Sequence, residues 1–210
     1  MHKLKSVFFP IRGMQLDVGI LIFDGIELLD FAGPLEVFYV ARPSPQQRDV
    51  RLFNAFTIAR TKEPITVKGG LKVIPDKSFD EVQQLDILLI PGGEGARKMK
   101  GDEPEINFIR GIEPNVEQIA TVCTGSWIYA MSGDRAGERL LTHQLRREEF
   151  KDKFPDIKIV EGYRYFENDT VVSAGGVSCG IDLALYLVYK FFGEEAVDYT
   201  ASVIEYPFNP

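Results

Sequence analysis

Short apolar runs alternate with segments of helical periodicity along most of this sequence. Buried strands are predicted at residues 16–23, 52–61 and 85–93, where aliphatic and aromatic side chains follow one another with few polar breaks. The segment 119–133 predicts a strand, a sharp turn and a helix in immediate succession. Strands that alternate with helices form βαβ units, so the pattern predicts an α/β fold in which helices sandwich a mostly parallel sheet.

The remaining segments predict the connections between these strands. Helices are expected to begin at Pro34 and to span residues 106–118, 180–193 and 196–206. The helix at 180–193 is apolar nearly all round, so we expect it to be deeply buried. The other predicted features are a polar loop at 42–50, a hairpin turning at Gly69–Gly70, a short strand at 139–144, and an antiparallel pair over 157–175 that turns at Asn168–Asp169.

Composition is consistent with one compact domain. The chain has 210 residues, of which 45% are hydrophobic, and this excludes a disordered or fibrous protein. We expect residues 1–15 to form a basic N-terminal extension, too short for a signal peptide and without a cleavage site, and residues 16–210 to form a single domain. No apolar run reaches the roughly 20 residues that span a bilayer, so no membrane partner is expected.

Charge and the scarcity of two residue types narrow the function further. The net charge of −7 repels phosphate backbones, so no nucleic-acid partner is expected. The 2 cysteines do not make a disulfide scaffold, and the cytoplasm is the expected location. With His2 and His143 as the only histidines, a histidine-rich metal site is excluded, and neither a metal nor another cofactor is expected.

The strand-to-helix turns are where chemistry is expected, because ligands of parallel sheets bind beyond the carboxyl ends of the strands. These turns are at residues 24–33, 91–96, 122–126 and 175–180. At 122–126, Cys123 stands between a strand and a helix among small residues, which is the arrangement of a nucleophile elbow. We expect the helix amides to lower the pKa of this thiol and favour the reactive thiolate, whereas a buried unreactive cysteine is the alternative.

A second cysteine, Cys179, also follows a strand and precedes a helix. Ser178 is the predicted N-cap of that helix, and Asp182 adds a negative charge to its first turn. The pattern therefore favours Cys179 as a helix-start residue rather than a nucleophile.

Gly92 and Gly93 close the strand at 85–93. Glycine lets the backbone approach a ligand, so their N–H groups are expected to face negative charge that develops on a substrate, as in an oxyanion hole. A phosphate cradle is disfavoured because the sequence has neither a Walker A lysine nor a GxGxxG motif. An ordinary tight turn remains the alternative.

Three further positions are of interest for the site. Asp30 lies among apolar residues, and poor solvation would raise its pKa and suit it to proton transfer, whereas a capping aspartate or an arginine partner is the alternative. His143 follows the short strand and either lines the site or is a satisfied strand-end histidine. Trp127 and Tyr129 are expected in the core.

Several segments together resemble the ThiJ/PfpI superfamily. They are DILLIPGGEGA, ATVCTGS, THQ and VVSAGGVSCGIDLALYLV. The segment LLDFAGPLEVF is similar to the isonitrile hydratase branch and to the corresponding domain of some AraC-type regulators. The resemblance covers the chain from Leu16 to Tyr206 and implies a flavodoxin-like, class I glutamine amidotransferase-like fold.

The resemblance also implies roles for individual residues. Cys123 matches the family nucleophile, and Asp30 stands where this branch has its acidic partner. Thr124 and Gly93 match substrate-binding positions, and His143 matches a family histidine whose role varies between branches. A homodimer that needs no metal and acts on a small-molecule substrate is implied as well.

The sequence departs from the family pattern in several places. His143–Gln144 stands where the branch often has His-Trp, and Cys179 stands where it often has Ala. Because the sequence ends at Pro210, we expect no helix-turn-helix DNA-binding region after this domain. No histidine follows His143, so the glutaminase activity of amidotransferases is not expected.

Three functional hypotheses follow. The leading one is an isonitrile hydratase-like lyase, in which Cys123 attacks the isonitrile carbon and Asp30 moves protons to give an N-substituted formamide. The second is a glyoxalase- or deglycase-like activity on small carbonyls. Asp30 is mild evidence against it, because the glyoxalase and deglycase branches have Glu at this position. The third is a non-catalytic protein that senses oxidants at Cys123 or holds an effector.

Overall fold

A computed structural model describes residues 15–208. In this range the strands are β1 (Leu16–Leu21), β2 (Phe53–Ala59), β3 (Ile65–Thr66), β4 (Lys72–Val73), β5 (Lys77–Ser78), β6 (Leu85–Ile90), β7 (Val116–Val122), β8 (Arg139–Leu140), β9 (Lys158–Ile159), β10 (Tyr165–Glu167) and β11 (Val171–Ala174). The helices are α1 (Leu28–Val40), α2 (Glu94–Lys98), α3 (Pro104–Ile112), α4 (Gly125–Ser132), α5 (Arg147–Lys153), α6 (Cys179–Phe192) and α7 (Glu194–Val203).

A seven-stranded sheet in the order β10-β11-β7-β6-β1-β2-β5 organises the molecule. Every neighbouring pair in it is parallel except β10 with β11, which are antiparallel and confirm the predicted turn at Asn168–Asp169. The predicted hairpin at Gly69–Gly70 is also confirmed, since β3 and β4 pair in antiparallel fashion outside the main sheet. The mostly parallel α/β fold predicted from the sequence is therefore the observed one.

The core lies between this sheet and the helices that flank it. The central strands β1 and β6 are buried along nearly their whole length, as expected of parallel strands covered on both faces. One group of helices consists of α1, α6 and α7, and another contains α2, α3 and α4. The predicted burial of α6 is confirmed for one face of the helix, whereas Tyr189 on the other face is exposed.

The start of α1 corrects the prediction that Pro34 would begin this helix. The helix begins six residues earlier, at Leu28, and Pro34 lies inside it. A proline there has no N–H to donate to the carbonyl of Asp30, one turn back. Its ring packs close to Gly180 of α6, and Phe38 is fully buried, so tertiary packing outweighs the lost hydrogen bond.

Two other boundaries differ from the predictions. The helix expected over 106–118 ends at Ile112, a short 3₁₀ turn follows, and the chain enters β7 at Val116. Pro114 stops the helix, and the residues after it form a strand that is buried continuously from Gln118 onward. The segment 157–159 forms no antiparallel pair with β11; it provides β9, which pairs in parallel with β8.

No helix within residues 15–208 is long and apolar enough to cross a membrane. Within the same residues, no group of three or more His, Cys, Asp or Glu side chains is arranged to hold a metal ion. The proposed N-terminal extension lies outside the described residues except for Gln15.

Candidate active site

Four strand ends converge at one edge of the sheet. The strands β11, β7, β6 and β1 are neighbours and mutually parallel, so their carboxyl ends lie side by side. The turns that follow these strands are the four that the sequence predicted for chemistry. They bring Val177, Cys123, Gly93 and Asp30 to the same place from distant parts of the chain.

Cys123 occupies a strained backbone conformation between β7 and α4. Its φ of 58° lies in the left-handed region, which is uncommon for a residue with a side chain. The backbone N–H of Cys123 donates to the carbonyls of Ala174, at 3.2 Å, and Gly175, at 2.9 Å, at the end of β11. This is the geometry of the predicted nucleophile elbow, and strain of this kind persists only where surrounding contacts impose it.

Two buried hydroxyls hold the elbow from the other side, and the sequence did not single them out. Ser126 Oγ and Thr142 Oγ1 lie 3.1 and 3.3 Å from the carbonyl oxygen of Cys123, and either hydroxyl can donate to it. The same two oxygen atoms are 2.9 Å apart and form a hydrogen bond. The carbonyl of the strained residue is thus satisfied without a helical partner, which fixes the direction of the Cys123 side chain.

Asp30 lies in the first turn of α1 and is fully buried. Its Oδ2 accepts a hydrogen bond from the N–H of Gly92 at 3.0 Å, and Oδ1 has no partner of good geometry among the described residues. The carboxyl group interacts with the thiol of Cys123 and with the backbone N–H of Val177. A buried carboxyl with one oxygen left for a thiol is placed to exchange a proton with it.

Burial dominates the protonation of this pair. Desolvation raises the pKa of Asp30 to about 7, as the sequence predicted in direction. Desolvation and the charge of Asp30 raise the pKa of Cys123 to about 12, which contradicts the expected thiolate stabilised by the helix amides. The backbone N–H groups of Thr124 and Val177 face the thiol and lower its pKa, but by less than burial raises it. At neutral pH the thiol keeps its proton and Asp30 is the available base.

The glycine loop supports the site in a different way from the one expected. The N–H of Gly92 is bound to Asp30, and the N–H of Gly93 donates to Thr124 Oγ1 at 2.9 Å. Thr124 Oγ1 in turn donates to the carbonyl of Gly93 at 3.1 Å. Neither glycine N–H is free to serve as an oxyanion donor, because both fix the positions of Asp30 and Thr124. Gly93 still lines the cavity, and Gly92 does not.

Val177 is a site residue that sequence reasoning missed. Its φ is 49°, a left-handed conformation that is strongly disfavoured for a β-branched side chain. The backbone N–H of Val177 interacts with both Cys123 and Asp30 and lowers the pKa of each. The strained turn after β11 therefore directs a backbone dipole at the thiol–carboxyl pair.

His143 borders the site and is held in one orientation. Its Nδ1 accepts a hydrogen bond from the N–H of Leu145 at 3.2 Å, which leaves the ring proton on Nε2. The ring lies against Gly176 so closely that a Cβ there would approach Cδ2 to 2.2 Å. Burial and the charge of Arg146 lower the pKa of His143, so the ring is neutral at pH 7. A neutral imidazole N–H is a hydrogen-bond donor at the edge of the cavity.

A cavity of about 380 Å³ opens above these residues. Cys123 and Thr124 contribute to its floor, and both are at least 95% buried. Its wall residues also include Val177 and His143. The volume is that of a small-molecule site.

The remaining predicted positions lie outside this cavity. Cys179 is half-buried at the first residue of α6, after Ser178, as predicted. Ser178 makes no capping bond, because its hydroxyl accepts from Arg164 instead. Trp127 and Tyr129 are buried, which confirms their assignment to the core.

The fold and the cavity define an α/β protein with a cysteine elbow and a buried carboxyl partner. Residues 17–190 match the DJ-1/PfpI family, and the chain belongs to that family. A solved ThiJ/PfpI family protein from Pseudomonas syringae superposes with a TM-score of 0.79 and 21% identity, covering 94% of this chain and 77% of that one.

Relatives of known function fall into different classes. An isonitrile hydratase from Pseudomonas putida is 27% identical over 92% of this chain and 79% of its own length. A deglycase from Pyrococcus horikoshii is 26% identical over 61% of this chain and 74% of its own. The transcriptional regulator GbdR from Pseudomonas aeruginosa is 23% identical over 85% of this chain, which spans only 47% of that regulator.

Proposed function

We propose that this protein hydrates an isonitrile to an N-substituted formamide, with Cys123 as nucleophile and Asp30 as proton carrier. The observation that carries the proposal is the buried thiol–carboxyl pair of Cys123 and Asp30, in which Cys123 lines the cavity and Asp30, behind it, has a pKa of about 7. Such a carboxyl both accepts and releases a proton near neutral pH. The similarity to isonitrile hydratase supports this choice of substrate.

In the first half of the reaction the thiol adds to the terminal isonitrile carbon. Asp30 takes the proton from Cys123 as the sulfur–carbon bond forms, and then delivers it to the same carbon. The product is a thioimidate, R–N=CH–S–Cys123. Transfer of the proton only as the sulfur attacks fits a thiol whose pKa is raised by burial to about 12.

In the second half, water resolves the thioimidate. Asp30 takes a proton from water as the oxygen bonds to carbon, and this proton goes to the substrate nitrogen. The carbon–sulfur bond then breaks, the electron pair stays on sulfur, and the hydroxyl proton returns to the thiol. The product is R–NH–CHO, so the balance is one isonitrile and one water consumed per formamide.

Other residues of the site position this chemistry. The N–H groups of Thr124 and Val177 stabilise negative charge on sulfur during attack and release. His143 presents a neutral ring at the edge of the cavity, where it can donate to the substrate or to the attacking water.

Action on small carbonyls is the second candidate, favoured by the similarity to the deglycase. There the sulfur of Cys123 would add to an aldehyde carbon, and Asp30 would move the proton to the new hydroxyl. Effector binding without turnover is the alternative suggested by the similarity to the regulator. A homodimer remains a prediction from the family resemblance, and a cytoplasmic location remains a prediction from the low cysteine content.

The test uses an aryl isonitrile and methylglyoxal with wild type, Cys123→Ser and Cys179→Ser. We expect isonitrile hydration to fall at least about a thousandfold in Cys123→Ser, because serine is a far poorer nucleophile with this base. Cys179→Ser is the matched control and is expected to stay within about twofold. Turnover of methylglyoxal alone would replace the proposal by the second candidate, and turnover of neither compound would refute both.

A further inference from the structure

Charged side chains surround the mouth of the Cys123 cavity. The lining includes the acidic residues Glu27 and Glu94 and the basic residues Lys68, Arg97 and Arg146. None of these five side chains takes part in the proton transfers proposed above. They are therefore available to select the substrate.

The acidic side chains are already neutralised by lysines. Lys68 Nζ lies 2.8 Å from Glu27 Oε2. Lys98, which is outside the cavity, lies one turn from Glu94 and approaches its Oε1 to 2.6 Å. The carboxylate of Glu94 is thus turned to a cation on the surface, and the negative charge of the rim is largely balanced.

The two arginines of the rim are not balanced in the same way. Arg97, on α2, makes no ion pair and no side-chain hydrogen bond among residues 15–208. Arg146 has a pair with Glu149 at 3.3 Å, and both of its members are more than 40% exposed. Exposed pairs of this kind are weak and exchange partners readily. The rim therefore offers two guanidinium groups to a ligand.

The charges around His143, at the edge of the cavity, are also more positive than negative. Besides burial, the charges of Arg146, Lys68 and Arg147 lower its pKa, and Glu27 opposes them. A site that disfavours an additional cation favours an anion.

We propose that the substrate of this cavity carries a carboxylate, which Arg97 and Arg146 bind while the electrophilic carbon lies at Cys123. The planar guanidinium matches a carboxylate in a two-pronged hydrogen bond, so it recognises shape as well as charge. With an isonitrile as the reacting group, the substrate class is the isocyano carboxylates. This choice of reacting group rests on the proposed function, whereas the preference for an anion does not.

The substrate test compares isocyanoacetate with its methyl ester, which share one isonitrile and differ in charge. In wild type we expect the kcat/KM ratio of acid to ester to favour the acid by about tenfold or more. The ratio should fall by about tenfold in the Arg97→Met/Arg146→Met double variant and recover in part with lysine at both positions. Lys100→Met removes the same charge from an exposed residue outside the cavity and should leave the ratio unchanged.

A second test is independent of isonitrile turnover. In a Cys179→Ser background, Cys123 is alkylated by iodoacetate or by iodoacetamide, which deliver groups of similar size with and without a carboxylate. The iodoacetate to iodoacetamide rate ratio should exceed that of free cysteine, and the double variant should lower it by about tenfold. A ratio like that of free cysteine, or one that is the same in wild type and in the double variant, would overturn the anion site even if the isonitrile is hydrated. A high ratio without isonitrile turnover would uphold the anion site and refute only the proposed function.

Discussion

The two cysteines of this chain stand in turns that look alike in sequence and differ in what surrounds the sulfur. Each lies where a parallel strand leads into a helix at the same edge of the sheet. Cys123 has a φ of 58° and lies against the carboxyl of Asp30, whereas Cys179 takes the first position of α6 beside Arg164. A carboxylate can take the proton of a thiol, and a guanidinium can only favour the thiolate. We infer that the carboxyl of Asp30, together with the strained turn, distinguishes the proposed nucleophile from Cys179.

The two turns also cooperate. The turn before Cys179 contains the strained Val177, whose N–H points at the pair formed by Cys123 and Asp30. Backbone strain thus occurs twice at one site, once at the proposed nucleophile Cys123 and once at Val177, whose N–H faces the sulfur. Functional sites are where strain of this kind is retained.

Among variants that keep Cys123, the largest expected effect comes from removing the proton acceptor. Asp30→Asn keeps the shape of the side chain and an oxygen for the Gly92 N–H, but it cannot accept a proton from the thiol. We expect kcat/KM for isonitrile hydration to fall about a hundredfold to a thousandfold. Arg164→Gln, the corresponding change beside Cys179, should leave turnover within about twofold. Equal losses in the two variants would remove the distinction between the turns.

The raised pKa of Asp30 predicts a second effect, on stability. The folded state holds this proton up to a pKa of about 7, whereas the unfolded chain releases it near its ordinary value of 3.8. Stability is therefore lost as pH rises between these two values, by up to about 4 kcal/mol. The free energy of unfolding of Asp30→Asn should not fall in this way over the same pH range.

Urea unfolding of wild type and Asp30→Asn across this pH range measures the difference directly. The variant should become the more stable protein above about pH 7. Other titrating groups are common to both proteins and cancel in the comparison. Parallel stability curves would show that Asp30 is not a desolvated acid.

A smaller effect is expected where the two turns meet. Val177→Gly relieves a left-handed β-branched residue and should raise the free energy of unfolding by about 1 kcal/mol. The freer backbone should lower turnover about fivefold, because the N–H aimed at the thiol is less firmly placed. Glu205→Gly is the matched control, since Glu205 has a φ of 50° on the exposed C-terminal side. It should change stability by less and leave turnover unaltered, so equal behaviour of the two variants would refute the role given to Val177.

Much of the fold could be predicted from the sequence because the parallel strands are continuous apolar runs. β1 and β6 were placed correctly by such runs, and the elbow by the small residues that follow Val122. The predicted start of α1 is wrong because proline usually marks the first turn of a helix, whereas packing against α6 tolerates Pro34 at the seventh position.

The site could be predicted as a set of residues but not as a chemical state. The turns at Asp30 and Cys123 were visible because strand ends of a parallel sheet meet. The predicted thiolate state of Cys123 is wrong. Tertiary burial raises the pKa of the thiol by more than the local helix amides lower it, and tertiary burial is not visible in the local sequence. Val177 and the hydroxyls of Ser126 and Thr142 carried no local signal, since they act through backbone angles and contacts made only on folding.

Alkylation of Cys123 by iodoacetamide as a function of pH tests most directly whether Asp30 controls the proton of Cys123. In a Cys179→Ser background, the rate should rise with pH through an inflection near the Asp30 pKa of about 7. With Asn at position 30 the inflection should move above the ordinary thiol pKa of 9.0, since burial still disfavours the thiolate. The same profile with Asp or Asn at position 30, or a fast rate with no inflection down to about pH 5, would contradict the account.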